Sequence, residues 1–381
     1  MNNFTAKVWT LLKKVSVKIW QFIKVIFNKI KPSLLAIGIG ISIGFVVMLI
    51  FNPSGAFPGL LKIILGGLQQ GQKGIGDVMY HATPIILTGL AVVIAFKTGL
   101  FNIGASGQMI IGGYVAIHIG VLWNIPSPFH WMVSLILGTL AGAIWGAVPG
   151  ILKAISNTNE VIVSILMNYI GTLLVVYLVK SNVYNGAYAK SKNIQLSANL
   201  PKLGAFFGSS AVTIGFIIAI VMAILIHYLF KRTTLGYELQ ASGFNKDASE
   251  YAGMSSKRNI ITAMIISGAM AGLAGAIQFS VIGNNLGTTT DLLGAGFDGI
   301  SVGLLGLGEP IGAIFAGLFL SNVRQGGFYM QINGFPPQII DIIIAIIVYV
   351  TSISAGISFA IKKRKLAHEN KVKVKGEKAN D

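Results

Sequence analysis

Residues 32–51, PSLLAIGIGISIGFVVMLIF, run for twenty positions without a charge. A bilayer's hydrocarbon core is about 30 Å thick, and roughly 20 helical residues cross it. Apolar runs of the same kind recur near 79–97, 104–122, 130–152, 160–180, 210–230, 259–281, 294–307, 309–323 and 338–360. The pattern predicts an all-α polytopic membrane protein with about 10 transmembrane helices. With 54% hydrophobic and 11% charged residues, the chain lacks the charged surface a soluble domain of this size would carry.

The net charge of +17 could suggest nucleic acid, but the placement of the basic residues gives another reason. Residues 1–32 hold seven lysines and no acid, interleaved with Trp9, Trp20, Phe22 and Phe27. That arm resembles a basic amphipathic segment on a cytoplasmic membrane face. Its basic stretch is too long for a cleaved signal peptide. A second cluster, KKRKLAHENKVKVKGEK (362–378), lies in a polar tail, 361–381, suited to anionic lipid. Placing both termini inside puts 22 Lys and Arg on cytoplasmic segments and 7 outside, as the positive-inside rule requires of an N-in, C-in chain.

No energy-converting chemistry is visible. The segment GLQQGQKG (67–74) lacks the spacing of a phosphate-binding loop and reads as a connection between spans. Five histidines show no ligand spacing, no Ser/His/Asp set is evident, and there is no cysteine. A resident metal, a cofactor and catalysis are not expected of this chain. Ionisable residues within spans reduce mainly to Asp298 and Asp341, the acids an ion-coupled carrier would need. For Asp298 a pathway role competes with a helix cap.

Polar residues interrupt two apolar runs. GLFNIGASGQMIIGGYVA (99–116) places Asn102, Ser106 and Gln108 among five glycines, which reads as an unwound helix whose side chains satisfy freed backbone groups or face a wet path. NTNEVIVSILMNYIGTLL (157–174) opens on cap residues and sets Ser164, Asn168 and Thr172 at i, i+4 and i+8, one polar stripe that would line a pathway or hold helices together. In ISGAMAGLAGAIQ (266–278), Gly268 and Gly272 have the spacing of close helix packing. Two hydrophilic segments stand out. The outer one, 181–208, would be a surface helix, a docking ledge or a plain loop. The inner one, 231–259, contains Glu238, Asp247 and Glu250, a quarter of the chain's twelve acids.

Five stretches in order, GLFNIGASGQMIIGGYVA, NEVIVSILMNYIG, GYELQASGFNKDASEYAGM, ISGAMAGLAGA and GFDGISVGLLGLGEPIG, resemble permeases of ABC importers in the branched-chain amino acid, ribose and simple-sugar class. The resemblance covers about 35–360, and its wording is most similar to the nucleoside permeases. It implies a permease domain over 33–360, a second permease, a separate ATPase that binds ATP and Mg, and an external substrate-binding lipoprotein. It also implies a coupling loop at 231–259, where Gly243 and Gly253 bracket a short helix carrying Asp247, Ala248, Glu250 and Tyr251. The expected pathway residues are Asn102, Ser106, Gln108, Ser164, Asn168, Thr172 and Asp298. A sugar or branched-chain amino acid is the alternative cargo, and an ion-coupled carrier the alternative class.

Overall fold

The computed structural model describes residues 33–351 and 353; the basic arm, the tail and the end of the last apolar run lie outside the described residues. The chain divides into two units. In the smaller unit, helix α1 (Ser33–Phe51) lays Gly40 and Gly44 against Ile347 and Ile343 of the C-terminal apolar helix (Gln338–Thr351). Glycines here let large β-branched side chains reach the neighbouring backbone, the main source of attraction where lipid supplies no hydrophobic drive.

The larger unit, 52–340, holds the functional elements. Helix α2 (Pro53–Leu65) starts where the Asn52 side chain accepts the Gly55 N–H and proline occupies the first turn. A 3₁₀ turn, Gly66–Gln70, leads into α3 (Gly71–Lys97), so 53–97 forms one broken helical run of 45 residues. This corrects the reading of 67–74 as a plain connection. Its glycines and glutamines interrupt hydropathy without preventing helix, and the breaks fall at Gly66 and Gly71, whose φ values are +49° and +59°.

Then come α4 (Ala105–Leu122), α5 (Phe129–Ser156), α6 (Glu160–Asn182), α7 (Gly215–Arg232), α8 (Thr234–Phe244), α9 (Lys246–Tyr251), α10 (Ser256–Phe279), α11 (Gly294–Leu305) and α12 (Pro310–Met330). We number Gln338–Thr351 α13. Among the described residues, seven helical segments are long and apolar enough to cross a membrane, with 53–97 counted once. The run at 294–307, expected to span, gives α11 of only 12 residues, about 18 Å of helix, which cannot cross alone.

Helix α10 is the centre of the packing. A Cβ at Gly142 would lie 2.5 Å from the Gly268 carbonyl oxygen, and one at Gly272 would lie 2.7 Å from the Gly138 oxygen, so α5 and α10 meet backbone to backbone. Gly112 of α4 faces both Gly272 and Gly138. The Gly268/Gly272 spacing is thus a packing surface, and on this seam any side chain would force the helices apart.

Two crossings are broken at mid-depth. After α3 the chain runs without helix through 98–104 and reaches the level of Ser267, the middle of α10, before α4 begins. After α10 it runs through 280–293 before α11 begins. The two helix starts meet: Ser106 Oγ donates to the Leu293 carbonyl at 3.0 Å, and Gly296 packs on the Ser106 backbone. Irregular backbone is tolerated at this depth because protein surrounds it and supplies its hydrogen bonds.

The ends of the unit differ. One carries α8 and α9, the α5–α6 turn and the α11–α12 turn, where Lys97 meets Glu309 at 2.9 Å and Lys153 meets Glu160 at 3.0 Å. The other carries the ordered segment 183–214. That segment contains no surface α-helix: it has a two-residue hairpin, Tyr184–Asn185 with Lys190–Ser191, and two 3₁₀ turns. Ser191 N–H donates to Leu286 O, Gln195 N–H to Gly120 O and Leu200 N–H to Ser280 O, which fasten it to the ends of α4 and α10 and to the segment 280–293.

Candidate functional site

The expected pathway residues divide between two places. Asn102, Ser106, Gln108, Ser164, Asn168 and Thr172 are all buried, each with at most 1% exposure. Asn102 Nδ2 donates to Gln108 Oε1 at 2.9 Å and to Ser267 Oγ at 2.7 Å, and its Oδ1 accepts the Gly104 N–H at 2.9 Å. Ser267 Oγ in turn donates to the Ala91 carbonyl at 2.6 Å, so one hydroxyl joins α10 to α3. Asn168 bridges from α6: its Oδ1 accepts the Gly107 N–H at 2.8 Å and its Nδ2 donates to Ile103 O at 3.0 Å. This closed node satisfies the backbone freed where 98–104 is not helical.

Of the two roles expected for these side chains, the bonds seen here are those that satisfy freed backbone groups. Asn102, Gln108 and Asn168 face one another and the backbone, because an unwound segment at mid-depth needs every one of those partners. Ser164 and Thr172 lie on the same face of α6, but their hydroxyls are buried and have no hydrogen-bond partner among the described residues. Ser267, the hinge of the network, had a faint signal in sequence: a lone hydroxyl in the otherwise apolar first turn of the glycine seam.

The open space lies elsewhere. A cavity of about 620 Å³ sits at the end that carries 183–214, between α3, α10, α11 and α12. Tyr80 and His81 of α3 enter it with rings edge to face, centroids 5.1 Å apart. Gln278 and Asn284 form its second wall, where Asn284 Nδ2 donates to both Tyr80 Oη at 2.5 Å and Gln278 O at 2.6 Å. In the same lining Arg324 Nη2 donates to Asp298 Oδ1 at 2.6 Å, joining α12 to α11, and Gln325 and Phe328 also face the space. Of the expected pathway residues only Asp298 lines this space, and it stands inside α11 rather than at its cap, which is Leu293. Pathway residues were sought in polar breaks of apolar runs; Tyr80 and His81 sit at the start of the run 79–97 and Gln278 near the end of 259–281, where polarity carries no signal.

The second functional surface is at the opposite end. Asn245 caps α9 by accepting the Ala248 N–H at 3.0 Å, and Gly253, at φ +82°, closes it. Asp247, Ala248, Glu250 and Tyr251 are exposed, Tyr251 at 95%, and Phe244 just before the cap is 89% exposed. Gly243 packs on the Lys97–Gly99 backbone, where a Cβ would stand 2.6 Å from Thr98 C. Asn259 Nδ2 donates to Ser242 Oγ at 2.7 Å and ties α8 to the start of α10. The short helix bracketed by Gly243 and Gly253 is therefore present, and it is anchored three residues from Asn102.

Among the described residues no group of His, Cys, Asp or Glu could hold a metal ion. Buried polar joints, broken spans, an aromatic and amide-lined cavity at one end and an exposed aromatic helix at the other define a multi-pass membrane permease. The chain belongs to the branched-chain amino acid transport system permease component family, whose pattern matches residues 74–352. It is 39% identical over 337 residues to the guanosine ABC transporter permease protein NupP of Bacillus subtilis, covering 87% of this chain and 95% of that protein. It is 34% identical over 363 residues to the nucleoside ABC transporter permease protein NupB of Lactococcus lactis, covering 92% and 99%. A glucose ABC transporter permease protein, TsgB13 of Haloferax volcanii, is 29% identical over 73% of this chain and 75% of its own length. No solved structure matches.

Proposed function

We propose that the chain is the membrane-spanning subunit of an ATP-driven nucleoside importer, with both termini cytoplasmic and broken crossings that keep the overall inside-to-outside order of ten. The observation that carries the reading is near full-length similarity to two nucleoside permeases, at 39% and 34% identity. The cavity supports it: a nucleoside is neutral, and amides, hydroxyls and ring faces suit its sugar and base better than unpaired charge. The glucose relative keeps a sugar as the second cargo to be tested.

In this arrangement the end carrying 183–214 faces outward and receives cargo from an external binding lipoprotein. The α8–α9 end faces the cytoplasm, where Phe244, Asp247, Glu250 and Tyr251 dock on a separate ATPase that binds ATP and Mg. A second permease completes the path. The charge count favours this orientation, with 22 of 29 basic residues on the cytoplasmic side.

Uptake of tritiated guanosine and uridine by cells carrying or lacking this chain tests the cargo. Uptake should require the chain and intracellular ATP and survive an ionophore. Loss of uptake with the ion gradients while ATP stays high would indicate an ion-coupled carrier. Competition by ribose or leucine alone would discard nucleosides.

A further inference from the structure

We infer that Arg324 is the nucleobase-reading residue of the cavity, that it selects 6-oxopurine nucleosides over 6-aminopurine ones, and that Asp298 is the positioning residue that aims it. This rests on the nucleoside reading and goes beyond it by naming the base chemistry and the side chain that recognises it.

Three observations carry the inference. First, Arg324 lines the cavity with its side chain 39% exposed, while Asp298 is 13% exposed, so the guanidinium faces the space and the carboxylate stands behind it. Second, the 2.6 Å bond from Nη2 to Asp298 Oδ1 tethers one nitrogen of the guanidinium, and the carboxylate comes from a different helix, α11, packed through Gly299 on Thr88 of α3. Third, Phe328 lines the same cavity one helical turn beyond Arg324 and is 64% exposed, offering a ring face to a planar base.

The chemistry follows from the shape of the donors. Guanidinium presents parallel N–H groups, and guanine and hypoxanthine present two adjacent acceptors, O6 and N7, in matching geometry. Adenine replaces O6 with an amino donor, so donor would meet donor. Uracil has no N7. Lysine at 324 would keep the charge and the attraction to Asp298 but lose the fork. Tyr80, Asn284 and Gln278 line the same cavity, where the ribose hydroxyls would find hydroxyl and amide partners.

The test is direct binding of tritiated guanosine, inosine and adenosine to the purified complete transporter, with the external binding protein left out so that its own selectivity does not enter. Wild type should bind guanosine and inosine about fivefold or more tighter than adenosine. 7-Deazaguanosine, which lacks the N7 acceptor, should bind wild type several-fold more weakly than guanosine, a comparison that requires no mutant to fold. Arg324→Lys should bring all four ligands within about twofold of one another, and Asp298→Asn should reduce the preference part of the way. An unchanged guanosine to adenosine ratio in Arg324→Lys, or equal binding of guanosine and 7-deazaguanosine by wild type, overturns the inference while leaving nucleoside transport standing. Binding of ribose or leucine with every nucleoside inert overturns the nucleoside reading itself.

Discussion

The mid-depth node and the cavity are both polar clusters within an apolar protein, and they differ in one property. In the node around Asn102 nearly every polar atom has a partner from the same chain, and exposure is at most 1%. In the cavity, Tyr80, Gln278, Asn284 and Arg324 surround about 620 Å³ of space. Polarity alone does not mark a transport path: a residue whose hydrogen bonds are complete inside the protein has little left to offer a solute, whereas one facing space does. The node holds an irregular backbone in place, and the cavity is where we propose that cargo is recognised.

The largest effect expected from breaking this contrast is at Asn102. Asn102→Leu would leave the Gln108 amide and the Gly104 N–H without partners, and Ser267 with only its bond to Ala91 O, each unsatisfied buried group costing about 1–3 kcal/mol. The variant should lose folded protein in a detergent-solubilised melting assay read by size-exclusion chromatography. A wild-type melting profile would show that the node is not structural.

Asn168→Leu should come next. It removes one acceptor for the Gly107 N–H and one donor for the Ile103 carbonyl, so about 2 kcal/mol of stability should go, with transport falling in proportion to folded protein. Transport that fell tenfold in fully folded Asn168→Leu would restore the pathway role expected from its stripe with Ser164 and Thr172.

At the end that carries α8 and α9, Asp247→Lys combined with Glu250→Lys changes two exposed side chains, so folding should be untouched. Like charges brought together at an interface can cost several kcal/mol. Uptake and substrate-stimulated ATP hydrolysis should therefore fall together while the melting profile stays at wild type. Wild-type uptake would separate α9 from coupling.

In the cavity, Tyr80→Phe removes a hydroxyl that accepts from Asn284, which keeps its bond to Gln278 O. Stability should change by less than about 1 kcal/mol, while the half-saturation concentration for guanosine uptake rises a few-fold. The smallest effect is expected at Ser164→Ala, because the buried Ser164 hydroxyl has no hydrogen-bond partner among the described residues and its removal leaves none of them unpaired. Melting and uptake should both stay near wild type, and a marked loss in either would mean that this hydroxyl meets water or cargo during transport.

Much of this protein was legible in its sequence because membrane burial acts on each residue locally. Apolar length announces the crossing helices, lysine placement points to an orientation, and the Gly268/Gly272 spacing announces a seam that the structure places against Gly142 and Gly146. The family resemblance, which brackets a short helix between Gly243 and Gly253, likewise announces α9. Other properties depend on distant partners. No local pattern says that Asn102 bonds to Ser267, 165 positions away, or that Arg324 is held by Asp298 from another helix. Nor does a run of apolar residues at 294–307 reveal that its helix begins at mid-depth against Ser106. Hydropathy and spacing are sums over neighbours in the chain and decide which segments leave water. Whether a polar side chain in such a segment closes a network or faces a cavity depends on what the tertiary structure brings opposite it, because a hydrogen bond requires the partner to be there.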